Sequence, residues 1–206
     1  MRVTNPKATL PPFLRIIVAV LGASVFLSCQ TATNGQAPNV TKEKVISVPD
    51  LGFRYTPPAD LLDKTTPESR QLRDRAASYS TKLVLPILDT SSNDTDTSPE
   101  WRQVLIAIFP RAQMPNVTDA VAERKVSTAL AGPHSNPVGE SQSTTIAGRS
   151  FLVSEFTQDE PPLLKHAKIY TTICKTQLVS FIFVSNSAAH VKAMEESVKS
   201  LDFFGH

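Results

Sequence analysis

Cysteine is almost missing from this chain. Cys29 and Cys174 are the only two in 206 residues, and they lie 145 positions apart. A small oxidised scaffold needs an even set at short spacings, so a disulfide framework is not expected. Glycine is also scarce, at 7 residues. No G-x-x-x-x-G-K-[ST], G-x-S-x-G or S-x-x-K run occurs, which removes the familiar phosphate cradle and two serine-nucleophile signatures. The four histidines, His134, His166, His190 and His206, fall in no H-x-x-x-H or H-E-x-x-H spacing, and no C-x-x-C accompanies them, so zinc has no local support. Excess charge is lacking too. The formal net charge of +2 comes from 21 basic and 19 acidic residues. Arg2, Lys7 and Arg15 are the only charges before Cys29, so residues 29–206 carry 18 basic and 19 acidic side chains. A net of −1 gives little field for collecting nucleic acid.

What is present begins with the leader. Residues 1–15 hold three positive charges and no negative one, and residues 16–27 are twelve positions of Ile, Val, Ala, Leu, Gly, Ser and Phe. A secretory signal has that order, with an apolar core of roughly 7 to 15 residues and small residues near the cut. At ~1.5 Å per residue, twelve positions cover about 18 Å of a hydrocarbon core roughly 30 Å thick. The segment therefore fits a removable signal better than a spanning helix. Phe26-Leu27-Ser28-Cys29 resembles the lipobox of bacterial lipoproteins, in which a small residue precedes the cysteine that becomes lipidated. Phe26 departs from the usual aliphatic residue there. A plain cut near Ala32 or Ala37 and a short uncleaved anchor are the two other readings. By resemblance, Cys29 carries a diacylglycerol and a further acyl chain. Each buried CH₂ adds about 0.8 kcal/mol, so several chains on one residue anchor a domain firmly. Gln30 in place of Asp implies outer-membrane sorting where two membranes exist. Residues 30–44, QTATNGQAPNVTKEK, have almost nothing apolar to bury and read as a flexible tether.

The remainder, residues 45–206, reads as one domain of ordinary size. Val45, Ser47 and LGFRYTPP at 51–58 suggest a strand stopped by Pro57-Pro58. Thr66 can cap and Pro67 can open a helix whose stripe is Leu72, Ala76 and Tyr79. KLVLPILD at 82–89 and RQVLIAIFP at 102–110 are apolar on both faces, as buried central strands are. Residues 116–132 predict a helix capped by Asn116 and stopped by Gly132, with Val117, Val121, Ala122, Val126, Ala129 and Leu130 on its apolar side. Ala147-Gly148 joins two strand-like runs, and Lys175-Thr176 joins KHAKIYTTIC to LVSFIFV. Asn186 or Ser187 caps a last helix with Val191, Met194, Val198 and Leu201 on one face, and Phe203 and Phe204 then return to the sheet. Hairpins with helices at intervals argue an α+β fold with a mostly antiparallel sheet and packed helices. GFRYTPPADL, IAGRSFLV, the paired KIYTTIC and LVSFIFV, and the terminal Ser200-Leu201-Asp202-Phe203 resemble the PsbP/DcrB-like group of small bacterial and plastid proteins. That resemblance implies a PsbP-like α/β sandwich and a binding or assembly role, with no catalytic residues to carry over.

The reactive groups have bland readings. Cys174 and His166 lie eight residues apart on one expected strand, about 26 Å at ~3.3 Å per residue, too far for a thiol and its base. A buried apolar role suits Cys174. Asp89, Asn93, Asp94 and Asp96 lack the glycine turn and terminal glutamate of a calcium loop. Arg70, Arg73 and Arg75 alternate with Glu68 and Asp74 as a solvated helix face does. Asn39, Asn93 and Asn116 open N-x-[ST] triplets, which matter only on a eukaryotic secretory route. No metal, cofactor or nucleic acid is expected. The leading expectation is a membrane-tethered extracytoplasmic lipoprotein that binds an envelope partner without performing chemistry. An envelope hydrolase with a site assembled from distant residues is the alternative. Cys29→Ala is expected to release the domain from membranes, and mass spectrometry of the mature amino terminus should find a lipid-modified Cys29. Undiminished membrane retention of that variant, or an unmodified peptide spanning Leu27 to Thr31, would refute the lipid anchor.

Overall fold

In a computed structural model, residues 44–160 and 163–204 are described. The leader, Cys29 and most of the tether lie outside the described residues, as does His206. The chain enters through β1 (Ile46–Val48) and β2 (Phe53–Tyr55), a short hairpin rather than the single strand expected. Ile46 and Val48 point inward, while Val45 is 56% exposed, so the inward register is one residue off that expectation. β3 (Leu62–Asp63) and α1 (Pro67–Arg73) follow. Thr66 caps α1 as expected, its hydroxyl accepting from the Ser69 backbone N–H at 3.2 Å. The helix stops at Asp74, and a 3-10 turn at Ala76–Ser78 carries the buried Ala76.

β4 (Leu85–Ser91) and β5 (Arg102–Pro110) come next. α2 (Asp119–Ala131) starts two residues later than expected, with Thr118 in place of Asn116 at its cap. Its buried residues are Ala122, Val126, Ser127 and Ala131, and Val121 is turned outward. Gly132 ends it at φ 91, the left-handed region that glycine enters without a Cβ penalty. Then follow β6 (Ser135–Pro137), β7 (Gln142–Ile146), β8 (Arg149–Glu160), β9 (Leu163–Cys174) and β10 (Gln177–Ser185). Ala147 and Gly148 turn the β7–β8 hairpin at φ 48 and 77, the paired positive angles of a two-residue primed turn. α3 (Ala188–Glu195) continues as a 3-10 segment through Ser200, and β11 (Asp202–Phe203) closes the chain.

Every pairing is antiparallel among the described residues. The large sheet runs β3-β4-β5-β10-β9-β8-β6, with β7 also on the outer edge of β8. The small sheet runs β1-β2-β11. β10 is flanked by β5 and β9 along its whole length, Phe181 opposing Ile106 and Tyr170. Its alternate residues serve two cores. Val179, Phe181 and Phe183 join Phe53, Tyr55, Phe151, Val191 and Met194 on one face. Ile182 joins Ala131, Phe156 and Ile169 on the other, and Leu178 packs with Ala122 and Val126 of α2. The result is three layers: α2, the large sheet, then α3 with the small sheet.

Phe181 is the hub of the thicker core. Its ring meets Phe53 edge-on at 5.5 Å and Tyr55 at 5.7 Å, and tilts on Phe151 at 6.1 Å. Such pairs add about 0.5–1.5 kcal/mol beyond their area burial. On the α2 side a buried chain of hydroxyls runs from Ser127 to Thr171 at 2.9 Å and on to Ser180 at 2.9 Å. Each of these three oxygens has a partner, which offsets the cost of burying it. Phe181→Ala should lower unfolding free energy by about 3–5 kcal/mol in a urea titration. Against a total of about 5–15 kcal/mol, that is a large share. A loss below about 1 kcal/mol would contradict the hub assignment.

Candidate functional site: a groove over the β7–β9 end of the sheet

The face of the sheet that bears α3 extends further than α3 covers it. Along β8 that face carries Phe151, Val153 and Glu155, and opposite the last two on β9 come Tyr170 and Lys168. The apolar alternation therefore ends in a charged pair, Glu155 directly across from Lys168. The carboxyl end of α3 descends beside it, fixed by the buried Val191, Met194 and Val198. Ser197 braces that end, its hydroxyl 2.6 Å from the Tyr55 hydroxyl. Between the helix end and β7 lies an open groove of about 490 Å³. Ile146, Val153 and Tyr170 supply its floor, Glu195, Glu196 and Lys199 one wall, and Val138, Glu140 and Thr144 the rim.

A closed electrostatic cluster sits at its centre. Lys168 Nζ lies 2.8 Å from Glu155 Oε1 and 2.9 Å from Glu195 Oε1. The Tyr170 hydroxyl donates to the same Glu195 oxygen. The ammonium also lies 5.9 Å from the centre of the Tyr170 ring, which stands edge-on to Phe183 at 5.9 Å. Burial opposes charge on Lys168, but the hydrogen bonds to Glu155 and Glu195 outweigh it and raise its pKa. Burial, reinforced by the Glu195 carboxylate, raises the pKa of the Tyr170 phenol. At neutral pH the amine is therefore a held cation and the phenol stays neutral. Neither is a free base or nucleophile.

The residues singled out by the sequence lie elsewhere. Cys174 is fully buried at the far end of β9, and burial pushes its thiol up to about 11 despite the nearby Arg149. His166, half-buried, is on the same strand opposite Ser185 and Thr157. His190 is partly exposed near the start of α3. Its Nε2 is 3.5 Å from Glu100, away from the groove, and no cysteine or histidine is among the described residues lining that groove. Asp89 sits in β4, accepting from Gln103 Nε2 at 2.9 Å, and Asn93, Asp94 and Asp96 are exposed in the loop beyond. Arg70 pairs with Asp63 at 3.2 Å. Asn116 and His134 are exposed. The groove residues Glu155, Lys168, Tyr170 and Glu195 escaped the sequence reading. The available signal was a charge placed in phase with an apolar strand face, Phe151-x-Val153-x-Glu155 and Lys168-x-Tyr170.

The architecture is that of an α+β protein with a PsbP-like fold, a mainly antiparallel sheet layered between helices. The particular likeness is to the solution structure of cyanobacterial PsbP (CyanoP) from Synechocystis sp. PCC 6803. It has a TM-score of 0.53 at 11% identity, covering 84% of this chain and 98% of that one. At that identity the match shows a shared fold. A looser likeness, TM-score 0.44 at 10% identity over 81% of this chain and 93% of that one, is to LpqN of Mycobacterium tuberculosis, a protein involved in cell envelope biogenesis. No protein-family model matches the sequence, and comparison with curated protein sequences finds no match.

Among the described residues no helix is long and apolar enough to cross a membrane. In a Cys29→Ala chain, Cys174 is the sole thiol. Iodoacetamide at pH 8 should leave it unmodified in native protein and alkylate it fully in denaturant. Stoichiometric labelling of the folded chain would contradict its burial.

Proposed function

We propose that this chain is a membrane-tethered extracytoplasmic lipoprotein, held on the periplasmic face through Cys29, with the outer membrane favoured where two are present. Its folded part is a non-catalytic binding or assembly module of the cell envelope that works through the groove. The observation that carries this reading is the closure of the Lys168 cluster. The ionisable groups at the centre of the groove satisfy one another. A catalytic site keeps a base or nucleophile in reserve and aims donors at developing charge. A recognition site needs shape, an apolar floor and fixed polar groups, and the groove has all three. The signal-like leader and the tether composition support the location, and the PsbP-like fold accommodates a binding role.

The test places a photo-cross-linking amino acid at Val138, which is 50% exposed on the groove rim. A control goes at Arg124, exposed on α2. In living cells the Val138 position should yield a discrete adduct with an envelope protein, and the Arg124 position should not. Lys168→Glu, which sets three acids side by side, should abolish the adduct. An absence of adducts at both Val138 and Thr144 would defeat the reading. So would turnover of ester, peptide or glycoside probes by the purified chain that Lys168→Met abolishes.

A further inference from the structure

The two edges of the large sheet are protected unequally. At one edge β3 is two residues long, ends in Asp63 and is followed by Lys64. Short, charged edges of that kind resist pairing with other chains. At the other edge β7 reads Gln-Ser-Thr-Thr-Ile over five residues, without charge, proline or a register shift. Its first four residues are exposed, and among the described residues it pairs with β8 alone.

The turn fixes which backbone groups point outward. A two-residue primed turn makes the flanking pair, Ile146 and Arg149, a hydrogen-bonded one. Hydrogen-bonded and non-bonded pairs then alternate along the hairpin. Ile146, Thr144 and Gln142 spend their N–H and C=O groups on β8, and those of Ser143 and Thr145 face away from it. The side chains of Gln142, Thr144 and Ile146 lie on the groove face, in phase with Val153 and Phe151. An added strand beside β7 would thus lay alternate side chains along the groove rim.

The groove has a sign. Four glutamates, Glu140, Glu155, Glu195 and Glu196, face two lysines, Lys168 and Lys199, for a formal net of −2. Lys168 is taken up by Glu155 and Glu195, and Lys199 by Glu196. Glu140 is exposed on the rim two residues before β7. A second copy of this chain paired edge to edge would set two grooves of the same sign side by side. A cationic segment has no such conflict.

We propose that the open edge of β7 is a docking strand that takes an extended basic segment of a partner protein by strand addition, its cationic side chains directed over the acidic groove. Main-chain bonds to Ser143 and Thr145 supply affinity. Glu140 and the groove carboxylates supply the preference for Lys or Arg at alternate positions. This rests on the groove being a binding site, as proposed above.

The test uses the full chain in detergent micelles and synthetic nine-residue peptides of alternating lysine and threonine, or glutamate and threonine, followed by fluorescence anisotropy. The lysine peptide should bind at least about tenfold more tightly than the glutamate peptide. Thr145→Pro removes one outward donor and leaves the β7–β8 ladder intact, because that N–H is not used within the sheet. It should weaken the lysine peptide by about fivefold to tenfold with an unchanged thermal melt. Thr145→Val, which keeps the backbone donor, should bind as the parent does. Glu140→Lys should erase most of the lysine preference. Equal affinity for both peptides, or full affinity in a natively melting Thr145→Pro chain, would overturn strand addition. A photo-cross-linker at Ser143 that captured only a second copy of the chain would overturn the basic occupant. If Val138 adducts persist in Thr145→Pro cells at full yield, the groove reading survives and only the strand-addition model falls.

Discussion

Burial of β10 on both faces sets the order of every other layer. Val179, Phe181 and Phe183 require an apolar layer on one side, and Leu178 and Ile182 require one on the other. A strand of this kind cannot lie at an edge, so β5 and β9 must flank it. α2 satisfies one side through Ala122 and Val126, small enough to bring the helix close. The other side is too wide for α3 alone, and the small sheet fills the remainder with Phe53 and Tyr55. The three-stranded sheet is thus a consequence of the central strand's second face.

The groove arises where that logic runs out. β8 and β9 continue past the end of the aromatic core, and the positions that would meet apolar partners are Glu155 and Lys168 instead. Lys168 is only 19% exposed, so an unpaired ammonium there would be costly. Two carboxylates and the face of Tyr170 offset that cost. The same groups pin the end of α3 to the sheet through Glu195, a link between strand and helix that apolar contacts could make only less specifically.

Most of the large sheet was legible in the sequence because its strands are long, and their turns carry residues with positive φ or a tight two-residue link. β5 matches its expected span, and Ala147-Gly148 and Lys175 turn the hairpins where expected. The buried stripe of the last helix, Val191, Met194, Val198 and Leu201, was also legible, because four large apolar residues at helical spacing have few other uses. Illegible elements were those defined by partners distant in sequence. β11 is two residues long, and although Phe203 was expected to return to the sheet, its strand partner Phe53 could not be read from the sequence. β1 is three residues long, and only the tertiary core decides that Ile46 rather than Val45 turns inward. α2 has Ser127 on its buried side, where a hydroxyl would count against burial until Thr171 is found opposite. The groove was hidden for the same reason. Glu155 and Lys168 become neighbours through β8–β9 register, and Glu195 joins them from a helix 25 positions beyond Tyr170.

The small sheet joins the beginning of the folded region to its end. β11 is the outer partner of β2, the Phe204 N–H donates to Gly52 at 2.8 Å, and Phe203 covers both Phe53 and Phe151. A polypeptide made amino end first leaves Phe53 and Phe151 without the Phe203 ring until β11 has been added. Closure of the aromatic core therefore waits on β11, like the fastening of a clasp. A product stalled or clipped before Phe203 would leave one side of both rings open to water, an apolar surface of the kind that invites association.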